Sequence, residues 1–486
     1  MPSQSIFYEM IIKQIFVGRE EEMMTLQSLS NSEQADLVAI IGRRRIGKTY
    51  LVKTAFKNQF SFYITGVKNT DKETMIQAFV AKIEEFSKSK FPISAPDNWM
   101  EAFRILKNYL ASIKTPKKKV VFLDEFPWMD GHKSGFLSAF EFFWNDWAVD
   151  QNITVIVCGS STTWMLNNVL NNKAGLHNRI TKYIRVEPFT LRETQQFLHT
   201  KGIKLPNYEI VQLYMALGGV PHYFNQVVKG ESVVQGIDRI LFSEKSTLKN
   251  EFQNLYRALF DQYEKYELVV KALSIKQKGL TRQEIIEATK ISNGGGLTRI
   301  LTELEECSFV KSFQPFGKEK KDLIYRLVDE YSLFYFQFHP NKKPVGSFVQ
   351  MSSSAKYKTW AGFAFESLCI KHVHQIKQAL SIGGIFSRES SFYSKGNADE
   401  EGFQIDMLID RSDNAINLCE MKFYATAYEL TKKEAEKLHK RRELFRTKTQ
   451  TKKYLINTMV TTFGLKTNEY SAGAVDKSLK MEALFL

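Results

Sequence analysis

One loop sequence constrains the N-terminal half of this chain more than any other feature. Residues 36–56, DLVAIIGRRRIGKTYLVKTAF, pass from a β-branched apolar strand through a loop into a helical pattern. The loop satisfies the spacing G-x-x-x-x-G-K-T with Gly42, Gly47, Lys48 and Thr49. In this setting the glycines turn backbone amides toward phosphates, the lysine reaches the terminal phosphates and the threonine offers a hydroxyl to Mg²⁺. The loop therefore predicts a site for ATP and Mg²⁺ on a parallel sheet.

Later strand ends carry the groups that ATP hydrolysis needs. Four apolar residues, 120–123, precede Asp124 and Glu125. At such a strand end the first acid holds the Mg²⁺ shell, and a following glutamate can polarise the attacking water. The next apolar strand, ITVIVC, leads to Ser160, whose hydroxyl would sense the γ-phosphate. Arg179, on a later loop, either stabilises transition-state charge or forms an ordinary surface ion pair, and the sequence leaves both readings open.

Short segments spread over the first half of the chain resemble one known family. In order they are FVGRE, GRRRIGKT, FLDEF, CGSS, an NRI segment followed by EPF, and GGVP. This series resembles the archaeal-type ATPases, which belong to the STAND class of signalling ATPases and are relatives of AAA+ proteins. The resemblance implies that Val17 and Arg19 lie near the nucleotide base. It also implies that Pro221 opens a helical lid that closes over the adenine.

The middle of the chain predicts a winged helix. Helices are expected at residues 267–274, after Thr281 as an N-cap, and over LTRILTELEEC, followed by two strands joined by the hairpin GKEKKD. A third helix that reads DNA would carry basic residues outward, whereas the acids at 303, 305 and 306 would repel phosphates. We therefore expect a regulatory or packing role for this helix. Contact of the wing with a nucleic-acid backbone stays open through its basic residues, Lys318, Lys320 and Lys321.

A second charged cluster lies near the C-terminus and has no evident role in binding ATP. In LCEMKFY the alternation of a strand places Glu420 and Lys422 on one face, and in GFQIDMLID it places Asp406 with Gln404. A hairpin through DRSDNA would bring these two strands side by side. Two carboxylates can hold Mg²⁺ beside a phosphodiester, and a neighbouring ammonium can orient water or stabilise developing negative charge. Upstream, Glu366 on an apolar helix is a candidate for a further metal ligand.

The order of these features resembles a nuclease core. A helix with Glu366, a strand with Asp406, a hairpin and the E-x-K of Glu420 and Lys422 resemble the PD-(D/E)XK nucleases. The same part of the chain also resembles the C-terminal domain that accompanies archaeal-type ATPases. Ile405 stands where the name of the motif has proline, a position that varies within the superfamily. The resemblance implies metal-dependent cleavage, while a nuclease-like fold that serves structure or binding stays open.

A basic amphipathic helix is predicted directly after this cluster. The segment AYELTKKEAEKLHKRRELFRTKTQTKKY places apolar residues on one stripe and lysine and arginine elsewhere. The charged side chains of such a helix are often merely exposed to water and bind no partner. Its position next to the acids gives it a second reading, in which Lys433, Lys437 or Arg441 meets a phosphate backbone.

These patterns predict an α/β multidomain protein. A chain of 486 residues exceeds what one hydrophobic core organises. We expect a P-loop ATPase core with a parallel sheet, a helical lid, a winged helix-turn-helix, a linker and a C-terminal α/β restriction-endonuclease-like domain. Their expected bounds are residues 1–200, 201–260, 261–340, 341–356 and 357–486.

Composition indicates the expected cellular location and the expected binding partners. A formal net charge of +14 favours a polyanionic partner such as a nucleic acid. Charge does not distinguish DNA from RNA, and DNA is the expected partner. No segment approaches the roughly 20 apolar residues that cross a bilayer, and the N-terminus has no signal-like pattern. We therefore expect a cytoplasmic protein without a membrane partner. A nucleotide-dependent homo-oligomer is a further expectation.

Two functions from different classes fit the sequence. The first is an ATP-binding and ATP-hydrolysing STAND-type switch coupled to a Mg²⁺-dependent nuclease-like domain that acts on nucleic acid. The second is a signalling or scaffold ATPase whose C-terminal domain binds nucleic acid or protein without cleaving it. A DNA-binding transcription factor fits less well because the third helix of the predicted winged module is acidic.

Overall fold

The chain divides into two compact units, one ending at residue 187 and one beginning at residue 188. The structure is a computed structural model that describes residues 16–170, 176, 178–246, 248–260, 262–319, 322–394 and 402–486. Lys320 and Lys321 of the predicted wing lie outside the described residues. The finer division of the second unit into a lid, a winged helix, a linker and a nuclease-like domain stays a prediction.

The first unit is built on a five-stranded parallel sheet with the order β2-β3-β4-β1-β5. Its strands are β1 Asp36–Ile41, β2 Phe62–Thr65, β3 Lys119–Asp124, β4 Ile153–Gly159 and β5 Lys182–Arg185. Its helices are α1 Glu20–Ser28, α2 Lys48–Ala55, α3 Lys72–Ser87, α4 Trp99–Ser112, α5 Phe136–Asp146 and α6 Thr162–Met165. Alternate residues of β1 enter different cores, because Leu37 and Ala39 pack with α3–α5 and Val38 and Ile40 pack with α1 and α2. Helices on both faces explain why the central strands read as continuous apolar runs.

The second unit begins with helices. They are α7 Leu191–Thr200, α8 Asn207–Leu217, α9 Pro221–Phe224, α10 Val233–Phe242 and α11 Glu251–Leu259. Capping boxes start α7 and α10, at Thr190 with Glu193 and at Ser232 with Gln235. Each box satisfies backbone N–H groups that have no partner inside the helix. These helices occupy the segment in which the sequence predicts the lid.

Residues 262–327, here called the middle module, follow the predicted order of elements. They comprise α12 Tyr263–Ile275, β6 Leu280–Thr281, α13 Arg282–Thr289, α14 Gly295–Glu306, β7 Val310–Phe313 and β8 Ile324–Leu327. The strands form an antiparallel sheet with the order β6-β8-β7. Thr281 caps α13 in a capping box with Glu284, as the sequence predicts.

One premise about the third helix of this module was wrong. Glu303 does not face outward, because it is only 4% exposed and accepts a hydrogen bond from the Tyr266 hydroxyl. Glu305 accepts hydrogen bonds from the backbone N–H and the hydroxyl of Ser312 at 2.8 and 2.7 Å. Both carboxylates accept hydrogen bonds from residues of the same module. Their negative charge alone therefore does not argue against nucleic-acid binding. The periodicity of the helix could not show which acids have internal partners.

Residues 355–486, here called the C-terminal module, form a mixed five-stranded sheet with the order β13-β12-β11-β10-β9. The helices α15 Glu330–Phe338 and α16 Ser347–Met351 precede the module, and its own are α17 Ala355–Lys371, α18 Val373–Ala379, α19 Lys432–Thr449 and α20 Glu469–Ala474. The strands are β9 Ser387–Ser394, β10 Phe403–Arg411, β11 Ala415–Lys422, β12 Tyr454–Thr461 and β13 Lys477–Lys480. The first three strands are antiparallel, and β11, β12 and β13 are parallel. The crossover from β11 to β12 contains α19, as a parallel connection requires.

The described helices include none that is long and apolar enough to cross a lipid bilayer. The longest, α19, has 18 residues and is rich in lysine and arginine.

A buried ion pair joins α15 to α17. The Lys371 ammonium nitrogen lies 3.0 Å from each carboxylate oxygen of Glu330, whose side chain is 2% exposed. The substitution Lys371→Met would leave this carboxylate buried without its cation. We expect the free energy of unfolding of the second unit to fall by about 3–5 kcal/mol. Urea unfolding followed by circular dichroism measures the change.

An exposed pair provides the matched control. Lys466 and Glu429 lie 2.8 Å apart, with side chains 55% and 62% exposed. The substitution Lys466→Met should cost less than about 1 kcal/mol, because water screens and solvates both charges. If Lys371→Met and Lys466→Met lowered the free energy of unfolding by equal amounts, burial of the ion pair would not explain its contribution to stability.

Candidate functional site

The loop between β1 and α2 has the backbone that a phosphate site needs. Gly42 has φ +144°, and a Cβ atom there would lie 2.4 Å from the Val186 carbonyl oxygen and 2.6 Å from Ile46 Cδ1. Gly47 has φ +94° and forms the N-cap of α2. Both positions therefore require glycine, the first for space and conformation and the second for conformation. The loop leads directly into the N-terminus of α2, where backbone N–H groups favour an anion.

Lys48, Thr49 and Asp124 come together at this loop. The Lys48 ammonium donates hydrogen bonds to the carbonyl oxygens of Gly42 and Arg43 at 2.8 and 3.0 Å. The Thr49 hydroxyl donates to an oxygen of Asp124 at 2.8 Å, which joins the loop to the end of β3. Burial raises the pKa of Asp124, an effect that the hydrogen bond from Thr49 opposes. The site fits Mg·ATP, because a hydroxyl and a carboxylate in direct contact form the donor set that would hold Mg²⁺ beside the phosphates.

Glu125 and Ser160 form a second contact at the same edge of the sheet. The Glu125 carboxylate accepts hydrogen bonds from the backbone N–H and the hydroxyl of Ser160 at 3.1 and 2.8 Å. Glu125 itself has φ 46° and ψ 45°, in the left-handed region that non-glycine residues seldom adopt. Such a conformation costs energy, and strained backbone recurs at active sites. The structure thus brings together Glu125 and Ser160, whose predicted roles as catalytic glutamate and γ-phosphate sensor stay predictions.

The remaining predicted nucleotide contacts are placed as follows. Val17 is buried, and Arg19 donates to the Ile46 carbonyl oxygen of the loop at 3.4 Å. Arg179 is exposed on the segment before β5. Pro221 lies in the second unit, where it is the first residue of α9. The roles of these four residues toward the nucleotide stay predictions.

In the C-terminal module the hairpin of β10 and β11 brings the predicted acids to one end. Met407 lies opposite Cys419, so the preceding Asp406 and the following Glu420 come to the same end of the hairpin. The Gln404 amide donates to Asp406 at 2.9 Å, which confirms that these two residues share a face of β10.

Glu420 binds two cations. Its carboxylate lies 2.7 Å from the Lys422 ammonium and, through its other oxygen, 2.7 Å from the guanidinium of Arg441 on α19. The first contact confirms that Glu420 and Lys422 share a face of β11. Burial opposes the ionisation of Glu420, but Arg441 and Lys422 outweigh it and lower the pKa of this carboxyl. Arg441 is one of the three basic residues that the sequence proposes as phosphate contacts, and its partner in this structure is a carboxylate.

Glu366 on α17 is electrostatically part of the same cluster. Burial, and next the charge of Asp406, raise the pKa of Glu366 to about 8. Burial also raises the pKa of Asp406, against the effect of Arg326. Within the described residues, no group of three or more His, Cys, Asp or Glu side chains is arranged to hold a metal ion. The three predicted ligands therefore lie near one another, but their present arrangement does not form a complete cation site.

A pocket of about 370 Å³ opens beside Glu420 and Lys422. One wall is the basic face of α19, with Lys437, Lys440 and Arg441. Acids beside such cations suit a metal-bridged phosphate group better than an apolar ligand.

Sequence reasoning missed a buried cation whose charge lowers the pKa of Asp406 and Glu366 against the effect of burial. This residue is Arg326 of β8, which belongs to the middle module. A single arginine in a short strand carries no local signal of such a role. Only the tertiary fold shows its neighbours.

Three features define a P-loop ATPase domain in the first unit. They are the strand order of the parallel sheet, the phosphate loop after β1 and the acid at the end of β3. The model of the family described as "ATPase domain predominantly from Archaea" matches residues 16–227. This part of the chain is therefore an ATPase domain of the archaeal type.

Two proteins of one archaeon are similar in sequence to this chain. The chain is 25% identical over 391 residues to an uncharacterised protein of Methanocaldococcus jannaschii, covering 79% of this chain and 82% of that protein. It is 42% identical over 45 residues to an uncharacterised ATP-binding protein of the same organism, covering 9% of this chain and 76% of that protein.

Solved structures show more distant similarity. A Walker-type ATPase of Pyrococcus abyssi aligns with a TM-score of 0.45 at 17% identity, covering 67% of this chain and 97% of that one. The ORC2 protein of Aeropyrum pernix aligns with a TM-score of 0.42 at 13% identity, covering 70% and 97%.

Proposed function

We propose that the chain is an ATP-driven switch whose C-terminal module is a Mg²⁺-dependent nuclease that acts on DNA. The observation that carries the second activity is the group of Asp406, Glu420 and Lys422 at one end of a hairpin, beside a basic helix and a polar pocket. Asp406 and Glu420 would hold Mg²⁺, with Glu366 as a further ligand. The metal would polarise the scissile phosphate, and Lys422 would orient water or stabilise the charge that develops.

The order of elements supports this reading. The helix α17 precedes an antiparallel strand and hairpin, and α19 crosses over to a parallel strand next to β11. This is the order on which the resemblance to the PD-(D/E)XK core rests. The basic face of α19 would contact the backbone of the substrate, where each neutralised phosphate adds a salt-dependent contribution to affinity.

The two activities would be coupled through the switch. ATP bound at Lys48, Thr49 and Asp124, with its base near Val17 and Arg19, would move the helices that begin at α7. Ser160 would register the γ-phosphate through its contact with Glu125, and Pro221 would open the lid over the adenine. Arg179 would act in cis or in a neighbouring subunit of a nucleotide-dependent oligomer.

A second function is favoured by a specific observation. Glu420 is already paired with Lys422 and Arg441, and the described residues contain no complete cation site. A C-terminal module with its charges satisfied internally would suit a signalling or scaffold ATPase that binds nucleic acid or protein without cutting it.

Cleavage of labelled nucleic acids separates the two functions. The panel contains single- and double-stranded DNA and RNA, with Mg²⁺ or Mn²⁺, with and without ATP, for the wild type and Lys422→Ala. Cutting of DNA by the wild type that is lost in the variant supports the nuclease. If no condition gives cleavage while ATP hydrolysis is intact, the scaffold function replaces it.

A further inference from the structure

Two exposed aromatic rings lie at the edge of the C-terminal sheet where β11 and β12 end. These strands are parallel, and their last residues, Lys422 and Thr461, are paired. Tyr424 and Phe463 each follow two residues later, so both segments carry a ring out of the same edge. The two residues are 50% and 36% exposed. The edge therefore offers aromatic surface to a ligand close to Lys422 of the proposed catalytic group.

The backbone of Tyr424 is held by Thr462, the residue before Phe463. The Tyr424 N–H donates to the Thr462 hydroxyl oxygen at 2.9 Å, and this hydroxyl donates to the Tyr424 carbonyl oxygen. Thr462 is fully buried, and its own N–H donates to the Lys422 carbonyl oxygen at 3.3 Å. The backbone that carries the two rings is therefore fixed relative to Lys422. A ring whose position is set beforehand loses less conformational freedom when a ligand stacks on it.

Each exposed ring packs against a second aromatic ring. The centroid of the Tyr424 ring lies 4.8 Å from that of Tyr428, a residue that lines the pocket of the C-terminal module. The Phe463 ring lies 5.2 Å from the ring of Tyr208 on α8, which also stacks on Phe423 at 5.1 Å. These contacts support the two rings from within the second unit, while part of each ring stays open to solvent.

The pocket beside these rings is lined by cations. Lys422 lies at the end of β11, and Lys437 and Lys440 lie on the wall that α19 provides. Lysines neutralise the phosphates of a nucleic acid, and aromatic rings stack on its bases. The bases of a duplex are already covered by their neighbours above and below, so only unpaired bases can use the rings. The combination of rings and cations therefore favours a single strand over a duplex.

We infer that Tyr424 and Phe463 form a stacking platform for the bases of single-stranded DNA and lead the strand to the pocket beside Lys422. The inference rests on the proposed nuclease function and names its substrate as unpaired DNA. Bases would stack on the platform while the neighbouring phosphates lie against the lysines of the pocket. A base-paired strand would gain only the phosphate contacts.

Binding of fluorescently labelled DNA to the full-length chain, followed by fluorescence anisotropy in EDTA, tests the inference without requiring cleavage. The probes are an oligothymidine of about 12 nucleotides, the same backbone with abasic sites, and the duplex of the oligothymidine with its complement. The wild type should bind the oligothymidine at least about ten-fold more tightly than the other two probes. Tyr424→Ala and Phe463→Ala should each weaken this binding by about ten-fold, and leave binding of the abasic strand unchanged because it offers no base to stack.

Tyr454 provides the matched control. It is 66% exposed and is the first residue of β12, at the end of this strand opposite to Phe463. Tyr454→Ala should leave binding of the oligothymidine unchanged, and Tyr424→Phe should bind like the wild type because the ring is kept. Equal losses of affinity in Tyr454→Ala and Tyr424→Ala would overturn the inference. Equal affinity of the wild type for the oligothymidine and its duplex would overturn it as well.

The same proteins separate the inference from the proposed nuclease function. Metal-dependent cleavage that is lost in Asp406→Asn, together with oligothymidine binding that Tyr424→Ala and Phe463→Ala do not change, would reject the platform and retain the nuclease. Binding that depends on both rings, without cleavage of any DNA in Mg²⁺ or Mn²⁺, would retain the platform and reject the nuclease.

Discussion

The substitution Lys48→Ala is expected to lower ATP hydrolysis by about 100-fold or more. Lys48 is the ammonium of the phosphate loop, and in this structure it is held at the loop by the carbonyl oxygens of Gly42 and Arg43. Alanine removes the charge that would neutralise the β- and γ-phosphates. Phosphate release at saturating Mg·ATP measures the effect, and nucleotide titration shows how much binding is lost.

Glu125→Gln is the matched comparison for this variant. Glutamine keeps an acceptor for the Ser160 N–H but cannot serve as a base toward water. It should hydrolyse ATP slowly while still binding it, whereas Lys48→Ala should lose binding as well. Hydrolysis by Lys48→Ala at the rate of the wild type would show that this loop is not the catalytic site.

The substitution Asp406→Asn is expected to reduce metal-dependent cleavage of DNA by about 100-fold or more. Asparagine has nearly the same shape and can still accept the hydrogen bond from Gln404, so the fold should be preserved. It lacks the negative charge that a divalent cation needs. Cleavage of labelled DNA under single-turnover conditions measures the effect.

Asp410 on the same strand provides the matched control. Its carboxylate lies 2.6 Å from the Lys453 ammonium, away from the cluster of Asp406. Asp410→Asn should leave cleavage within a few-fold of the wild type. Equal losses in Asp406→Asn and Asp410→Asn would attribute the effect to stability of the sheet and not to the metal site.

Features with a local signal could be predicted from the sequence. The phosphate loop, the strand before it and the helix after it lie within one short segment, so spacing alone indicated Gly42, Gly47, Lys48 and Thr49. Strand alternation correctly paired Gln404 with Asp406 and Glu420 with Lys422, because side chains on one strand repeat every second residue. The prediction of Thr281 as an N-cap is also confirmed, because a capping box depends on residues that are close together in the sequence.

Features that depend on the tertiary fold could not be predicted. Whether a glutamate on α14 faces water or Tyr266 depends on the packing of α14 against α12, and Glu303 turned out to be buried. The basic residues of α19 gave no means of telling that Arg441 would bind Glu420. The charge of Arg326, a residue of the middle module, lowers the pKa of Asp406 in the C-terminal module, and no spacing in the sequence predicts an effect between modules.

The central claim is that ATP controls cleavage by the C-terminal module. The most direct test is the rate of DNA cleavage in Mg²⁺ with and without ATP, for the wild type, Lys48→Ala and Glu125→Gln in parallel. We predict that ATP accelerates cleavage by the wild type and by Glu125→Gln, which retains bound ATP, and that Lys48→Ala does not respond. Cleavage at one rate in all three proteins, with or without ATP, would contradict the coupling even if both sites are active.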